Sequence, residues 1–348
     1  NLVRSAKLPS GNTYRYVFSS PFASDRPYIL LLHGFPESSY GWYHQISYFR
    51  EQGFGIIVPD LLGYGGTDNP ADLEAFNNKN MVKDIEQLLD IEGVTTVIGI
   101  ARDFGTLLLS ALINYSPSRL TAVAFLNNGY VTPQAQLDAA TIDVVNEMTL
   151  AQLGYENLGF WKFFNEDGAD DLVYQHQESF LSICFARDTS IMTRDFAPTG
   201  ALQQWLEENK TASDLVVSDV NIDQWKRIIT AQRGFDGPLK WYKSMMRGIN
   251  NPDSNGKSNI SPDLALPGTI TQPALIMVAD RDPLAIAANQ LSNTLPFAKN
   301  IRVRTVNSGH YMQLEVPDEV NKHLHQFILD VMQIPAAHTD FIAVSFNR

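Results

Sequence analysis

The segment Ala101-Arg102-Asp103-Phe104-Gly105 puts a carboxylate at a corner, between the apolar run Val97 to Ala101 and a second apolar run of helical length, Leu107 to Ile113. A strand that turns abruptly into a helix crowds its own backbone. The residues two before and two after the strained position must therefore be small, as Ala101 and Gly105 are. Such a bend exposes the side chain at its apex and sets it at a helix N-terminus, where negative charge is favoured. Read this way Asp103 is a nucleophile that can form an ester; the competing reading is a plain N-cap aspartate.

Three other segments supply what an aspartate nucleophile needs. His33-Gly34-Phe35-Pro36 ends the run Tyr28 to Leu32, and a glycine there lets the Phe35 amide point at a developing oxyanion beside the amide of Phe104. Asn307-Ser308-Gly309-His310-Tyr311 follows the run Ile301 to Val306, so His310 is the one of seven histidines at a strand end on the catalytic side. His310 can activate water, and a third group must orient it. Val278 to Pro283 offers Asp282, preferred because it lies farther into the loop, with Asp280 as the alternative. The other place for such an acid, after the strand ending at Asn127 and Asn128, holds only amides. The chain order is nucleophile, acid, histidine, each in a loop after a strand.

These loops require a sheet to hold them. Strand and helix signals alternate through Tyr28–Gly34, Gly55–Asp60, a helix near Lys79–Ile91, Thr95–Ala101, a helix near Thr106–Tyr115 and Leu120–Asn128. That rhythm predicts a mostly parallel sheet with helices on both faces. From about Tyr130 to Asn250 the strand signal gives way to aromatic-rich helical segments, followed by the Pro/Gly/Ser/Asn-rich stretch Asn250 to Gly268. Alternation resumes with Ala274–Asp280, Ile301–Val306 and a last helix near Asp318–Met332. The expected organisation is an α/β core in two parts, residues 1–130 and 263–348, interrupted by a helical cap at 131–262.

Composition narrows the function classes. With 348 residues, 44% apolar and 18% charged, the chain can bury a large core and is not a disordered acidic chain. A net charge of -12 with no basic run argues against nucleic acid. No apolar stretch reaches membrane-spanning length, and the first residues lack a signal-peptide core, although a chain beginning at Asn1 leaves room for a removed segment. The single Cys184 allows no internal disulfide, which favours a cytoplasmic location; no Cys/His cluster suggests a metal. Asn114, Asn209 and Asn259 begin N-x-Ser/Thr sequons, which carry little weight because such triplets arise by chance.

Together with these residues, "HGFPESSYGWYHQI", "GIIVPDLLGYGGTDNP", the Asp103 corner, "GPLKWYKSM", "VADRDP" and "SGHYMQLEVP" resemble, in the same order, the signatures of the soluble epoxide hydrolase family of α/β-hydrolases. The resemblance runs from about Tyr28 to Met332. It implies Asp103 as nucleophile, Asp282 and His310 as charge-relay partners, and Tyr242 as a cap tyrosine that holds the epoxide oxygen. It also implies a second cap tyrosine, for which Tyr155 fits best and Tyr174 next, against the reading of each as core packing. Arg102 and Phe104 depart from the His and Trp that commonly flank the family's nucleophile; Phe104 keeps its amide, while Arg102 either pairs with a nearby carboxylate or helps keep Asp103 ionised.

The implied activity converts a small apolar or aromatic epoxide to a vicinal diol through an Asp103 ester, with no metal or organic cofactor. Phe160, Trp161, Phe163, Phe164 and Trp241 suggest an apolar tunnel in the cap. A haloalkane or haloacid dehalogenase would use the same nucleophile but wants side-chain N–H donors around its halide, which Phe35 and Phe104 lack. A non-catalytic receptor on this fold would not need the water-activating pair. The reading leaves monomer and homodimer open.

Overall fold

The computed structural model describes residues 2–133, 135, 137–250 and 268–333. Among them eight strands form one sheet in the order β1-β2-β4-β3-β5-β6-β7-β8. The strands are β1 (Val3–Lys7), β2 (Thr13–Ser19), β3 (Tyr28–Leu32), β4 (Gly55–Pro59), β5 (Val97–Arg102), β6 (Leu120–Leu126), β7 (Ala274–Ala279) and β8 (Ile301–Val306). From β4 across to β8 all pairings are parallel; β1 pairs antiparallel with β2, and β2 with β4.

The parallel strands β3 to β7 are mainly runs of Ile, Leu, Val and Ala buried on both faces, because helices cover both sides, whereas β8 at the edge of the sheet is mostly half-buried. Alternate residues part company. Leu30, Leu32, Ile57, Ala101, Val123 and Ile276 join one cluster, while Ile29, Leu31, Ile56, Ile100, Ala124 and Met277 join the other. Each fully buried aliphatic side chain contributes roughly 1.5–3 kcal/mol. The second cluster is closed by Phe49 of α1 (Tyr43–Glu51) and by Leu324 and Ile328 of the C-terminal helix. The first is closed by α2 (Asn78–Ile91) and α3 (Phe104–Tyr115). Helix α3 is buried from Phe104 to Asn114, which is why it reads as continuously apolar rather than amphipathic.

The antiparallel pair β1–β2 was not among the expected strands. Its signal is the two-residue alternation of Tyr14, Tyr16 and Phe18, buried while the residues between them are half-buried.

Between β6 and β7 the chain is helical: α4 (Ala139–Leu153), α5 (Phe160–Asn165), α6 (Ala169–Gln175), α7 (Gln177–Cys184), α8 (Ala201–Glu207), α9 (Asp219–Ala231) and α10 (Asp236–Met246). The expected linker falls mainly on residues 251–267, and with it the expected boundary at 262/263, outside the described residues. After β7 come α11 (Ala287–Thr294), α12 (Met312–Glu315) and α13 (Pro317–Gln333). Helix α10 packs closely on the loop that follows β4. Trp241 Nε1 donates to Leu62 O at 2.9 Å, and a Cβ on Gly63 would lie 2.9 Å from the Gly237 Cα, so only glycines permit this approach. At a second point Asn221 of α9 accepts from the Tyr40 hydroxyl and donates to the Tyr43 hydroxyl.

No helix among the described residues is long and apolar enough to cross a membrane. Two sequons fall on described residues. Asn114 is buried in α3, its amide donating to Ser110 O and the Tyr130 hydroxyl, whereas Asn209 is exposed.

Candidate active site

Asp103 stands where β5 becomes α3, with φ 51° and ψ -125°, a region that costs a non-glycine residue about 1–3 kcal/mol. Its neighbours explain how the corner holds. A Cβ on Gly105 would sit 2.2 Å from Leu32 O, and one on Gly34 would sit 2.3 Å from the Asp103 Cβ, so both positions exclude any side chain. The carboxylate makes no capping bond to α3, which removes the N-cap reading. Instead Oδ1 accepts from the Phe35 amide at 2.8 Å, and Oδ2 faces His310 Nε2 at 3.8 Å. The Phe104 amide is the first of α3, a position with no acceptor inside the helix.

His310 and Asp282 are joined directly, His310 Nδ1 to Asp282 Oδ2 at 2.8 Å. Asp282 is acceptor-only when ionised, so the proton sits on Nδ1 and Nε2 is left as the base facing Asp103. Asp282 takes three more donors: Asn127 Nδ2 at 2.7 Å, and the amides of Leu284 and Ala285 at 2.9 and 3.0 Å. Burial alone would raise its pKa, but the charge and hydrogen bond of His310, helped by the two amides, hold it at about 2. Asp280 is exposed and at 4.0 Å from Arg281, so the structure brings Asp282 and not Asp280 to the histidine. Asn127 was noted only as an amide occupying a place for an acid. It is instead a donor to the acid, on a backbone with φ 64° that Asn tolerates better than most residues.

Arg102 lies fully buried beneath this group. Its guanidinium pairs with Glu37 at 2.7 Å, donates to His310 O at 2.6 Å and stacks 4.3 Å from the centre of the Tyr311 ring. Gln313 Nε2 donates to the other Glu37 oxygen at 2.7 Å. Of the two readings of Arg102, the pairing with a carboxylate describes its position, and it also ties the nucleophile strand to the histidine loop. That second tie had no sequence signal, because the acceptor is a backbone oxygen 208 residues away.

A cavity of about 510 Å³ opens over Asp103 and His310, lined in part by Phe35, Phe160, Trp161, Tyr242 and Tyr311. Phe163, Phe164 and Trp241, expected in the tunnel, lie outside its lining: all three are packed in the hydrophobic core, and Trp241 is bonded to Leu62 O. Tyr242 is buried among Phe35, Phe104, Trp161 and Phe164, with ring centres 4.6 to 5.1 Å away. Burial, and then the negative charge of Asp103, push its phenol's pKa well up, so it keeps its proton. Cys184, also in the wall, is a neutral thiol whose pKa is raised by burial.

The expectation for Tyr155 needs correction. Its hydroxyl donates to Pro283 O at 2.7 Å, alongside Asn157 Nδ2 on the same oxygen, and it does not line the cavity. The left-handed Gly154 that ends α4 turns the chain toward the Asp282 loop, so Tyr155 supports the acid from outside. Tyr174 is likewise absent from the lining. The aromatic residue at this edge of the cavity is Phe160, 6.1 Å from Tyr242, which has no donor.

His33, read as a bend residue, is fully buried. Its Nε2 accepts from the Leu61 amide at 2.9 Å and its Nδ1 lies 2.9 Å from Gly34 O, so the ring is held neutral and burial lowers its pKa to about 4. Below about pH 6.5 the unfolded chain takes up this proton and the folded one refuses it. His33 should therefore lower stability as pH falls from about 6.5 to about 4, by about 3 kcal/mol across the window, after which the Asp282 contribution is lost between about 3.8 and 2. Urea unfolding at pH 7, 5.5 and 4.5 should show a steeper loss for the native protein than for His33→Asn; equal slopes would refute this.

Residues 27–174 match the family described as alpha/beta hydrolase fold. Epoxide hydrolase A of Mycobacterium tuberculosis is 27% identical over 311 residues, covering 87% of this chain and 90% of that protein. Rattus norvegicus bifunctional epoxide hydrolase 2 is 26% identical over 319 residues, covering 89% of this chain but 53% of the relative, so the chain spans about half the length of the mammalian proteins it matches. Among solved structures, epoxide hydrolase A from Mycobacterium thermoresistibile superposes with a TM-score of 0.73 at 26% identity, covering 93% of this chain and 97% of that one. The chain thus has the α/β-hydrolase fold, and over most of its length its sequence and structure are similar to those of epoxide hydrolases.

Proposed function

We propose that the protein hydrolyses an epoxide to a vicinal diol in two steps, with the helices between β6 and β7 acting as the cap. The observation that carries the reading is the division of the Asp103 carboxylate: Oδ1 rests on the Phe35 amide while Oδ2 stays free of any close donor, 3.8 Å from His310. Oδ2 attacks a ring carbon, the C–O bond breaks, and the leaving oxygen takes the Tyr242 proton. His310 Nε2 then removes a proton from a water that attacks the ester carbonyl, whose oxygen is held by the amides of Phe35 and Phe104. The tetrahedral intermediate expels the diol oxygen, which takes the proton of the Asp103 acid. The extra proton on His310 cancels the deficit on Tyr242, so both groups are restored. Asp282 holds His310 in the required tautomer. A cytoplasmic setting belongs to the same proposal, supported by a single cysteine in 348 residues.

The direct test is a single turnover with excess enzyme in heavy-oxygen water. The added oxygen of the first diol should be light, because it comes from Asp103. Heavy oxygen in that first diol would mean direct attack by water.

A dehalogenase is the second reading. The cavity contains one indole, Trp161, whose ring lies 5.7 Å from Phe104 and 4.7 Å from Tyr242, and an indole N–H is the kind of donor a halide needs. Halide release from a matched haloalkane, faster than opening of the corresponding epoxide, would favour it.

A further inference from the structure

The wall of the cavity carries a pattern that the proposed chemistry does not need. Among its described lining residues, the only side chains that carry or readily gain charge are Asp103 and His310 at the inner end; no Lys, Arg or Glu reaches it. The outer end is identified by residues that both line the cavity and lie exposed: Ala135 ahead of α4, Met148 and Gln152 of α4, and Asn289, Ser292 and Asn293 of α11. On α11 these three stand at i, i+3 and i+4, one face of the helix, so they form a polar strip. To the same cavity α4 contributes Val145 and Met148, an apolar strip that ends in Gln152. The cavity is thus aromatic around Asp103 and edged with carboxamides at its mouth.

Resting on the hydrolase reading, we propose that the substrate is a neutral epoxide with an uncharged hydrogen-bonding group, an alcohol, amide or ester, at the end far from the ring. The strip Asn289, Ser292 and Asn293, with Gln152 across the mouth, recognises that group. A carboxamide offers both a donor and an acceptor, which suits a hydroxyl or carbonyl. It supplies no cation for a carboxylate. An anionic tail would exchange its hydration for neutral donors with no cation to balance its charge, and would enter a protein of net charge -12 toward the Asp103 anion. A wholly apolar tail would leave the carboxamides without their bonds to water where it covers them.

The tail preference can be read without catalysis. Calorimetry with epoxide-free ten-carbon ligands, decanol, decanamide and decanoate, is measured on the native protein at pH 7.5. Decanol and decanamide should bind at least about tenfold more tightly than decanoate, a ratio that corresponds to about 1.4 kcal/mol. In Asn289→Leu/Asn293→Leu the ratio of decanamide to decanoate affinity should narrow. Equal or tighter binding of decanoate overturns the proposal, as does a ratio unchanged by the double substitution. The matching terminal epoxides are then assayed for diol. Absence of diol from every member, with the neutral preference intact, would defeat the hydrolase reading and leave the tail assignment standing.

Discussion

His310→Gln should release almost no diol and should accumulate as protein carrying the mass of one substrate on Asp103. The two half-reactions make different demands on the site. Ester formation needs Asp103 Oδ2 and a proton donor for the ring oxygen, and neither is His310. Ester hydrolysis needs a base, and His310 Nε2 is the one placed on the nucleophile's side, with Nδ1 tied to Asp282. Glutamine can still donate to Asp282 and fill much of the imidazole volume, but it cannot take a proton from water. Loss of a general base costs typically about a hundredfold to ten-thousandfold. Intact mass spectrometry after mixing with styrene oxide reads the adduct, and peptide mapping locates it. Normal diol release by the variant would remove His310 from the mechanism.

Tyr242→Phe should have the next largest effect, and it should fall on the other half-reaction. The earlier expectation of two phenols on one oxygen would let either cover for the other. With Tyr155 bonded to Pro283 O and Phe160 at the cavity edge, Tyr242 is the phenol that the helices between β6 and β7 contribute to the described lining. Removing it should slow ring opening by about a hundredfold or more, while the ring's contacts with Phe35, Phe104 and Trp161 persist. Adduct formation in the His310→Gln background isolates that step. Tyr155→Phe is the contrast: it loses one bond to a carbonyl that Asn157 still serves, and ring opening should change by less than about threefold. Equal impairment by the two substitutions would show that Tyr155 reaches the substrate after all.

The sheet was legible because buried parallel strands are written as short apolar runs between turn residues, and five such runs became β3 to β7, while β8 shows instead the two-residue alternation of Ile301, Val303 and Thr305 with Arg302, Arg304 and Val306. The Asp103 corner was legible for a steric reason, since Gly105 sits against Leu32 O with no room for a methyl group. What escaped were interactions whose partners are backbone atoms or come from far along the chain. Arg102 holding His310 O, and Asn127 donating to Asp282, leave no local pattern. Tyr155 failed for a related reason. A tyrosine near the right place in a short aromatic segment says nothing of where its hydroxyl points, and the turn at Gly154 decides that.

Cys184 gives the chamber a chemical liability and its remedy. A thiolate in the wall of a chamber that admits strained electrophiles would capture them as thioethers, which no water-activating histidine can undo, and each capture would end the life of one molecule. Only the thiolate reacts at a useful rate, and burial keeps this sulfur protonated against the opposing pull of the Tyr311 hydrogen bond and the Arg102 charge. On the proposed mechanism, the same apolar enclosure keeps the one thiol of the described wall silent, which favours a hydrolysable oxygen ester at Asp103 over a permanent thioether at Cys184.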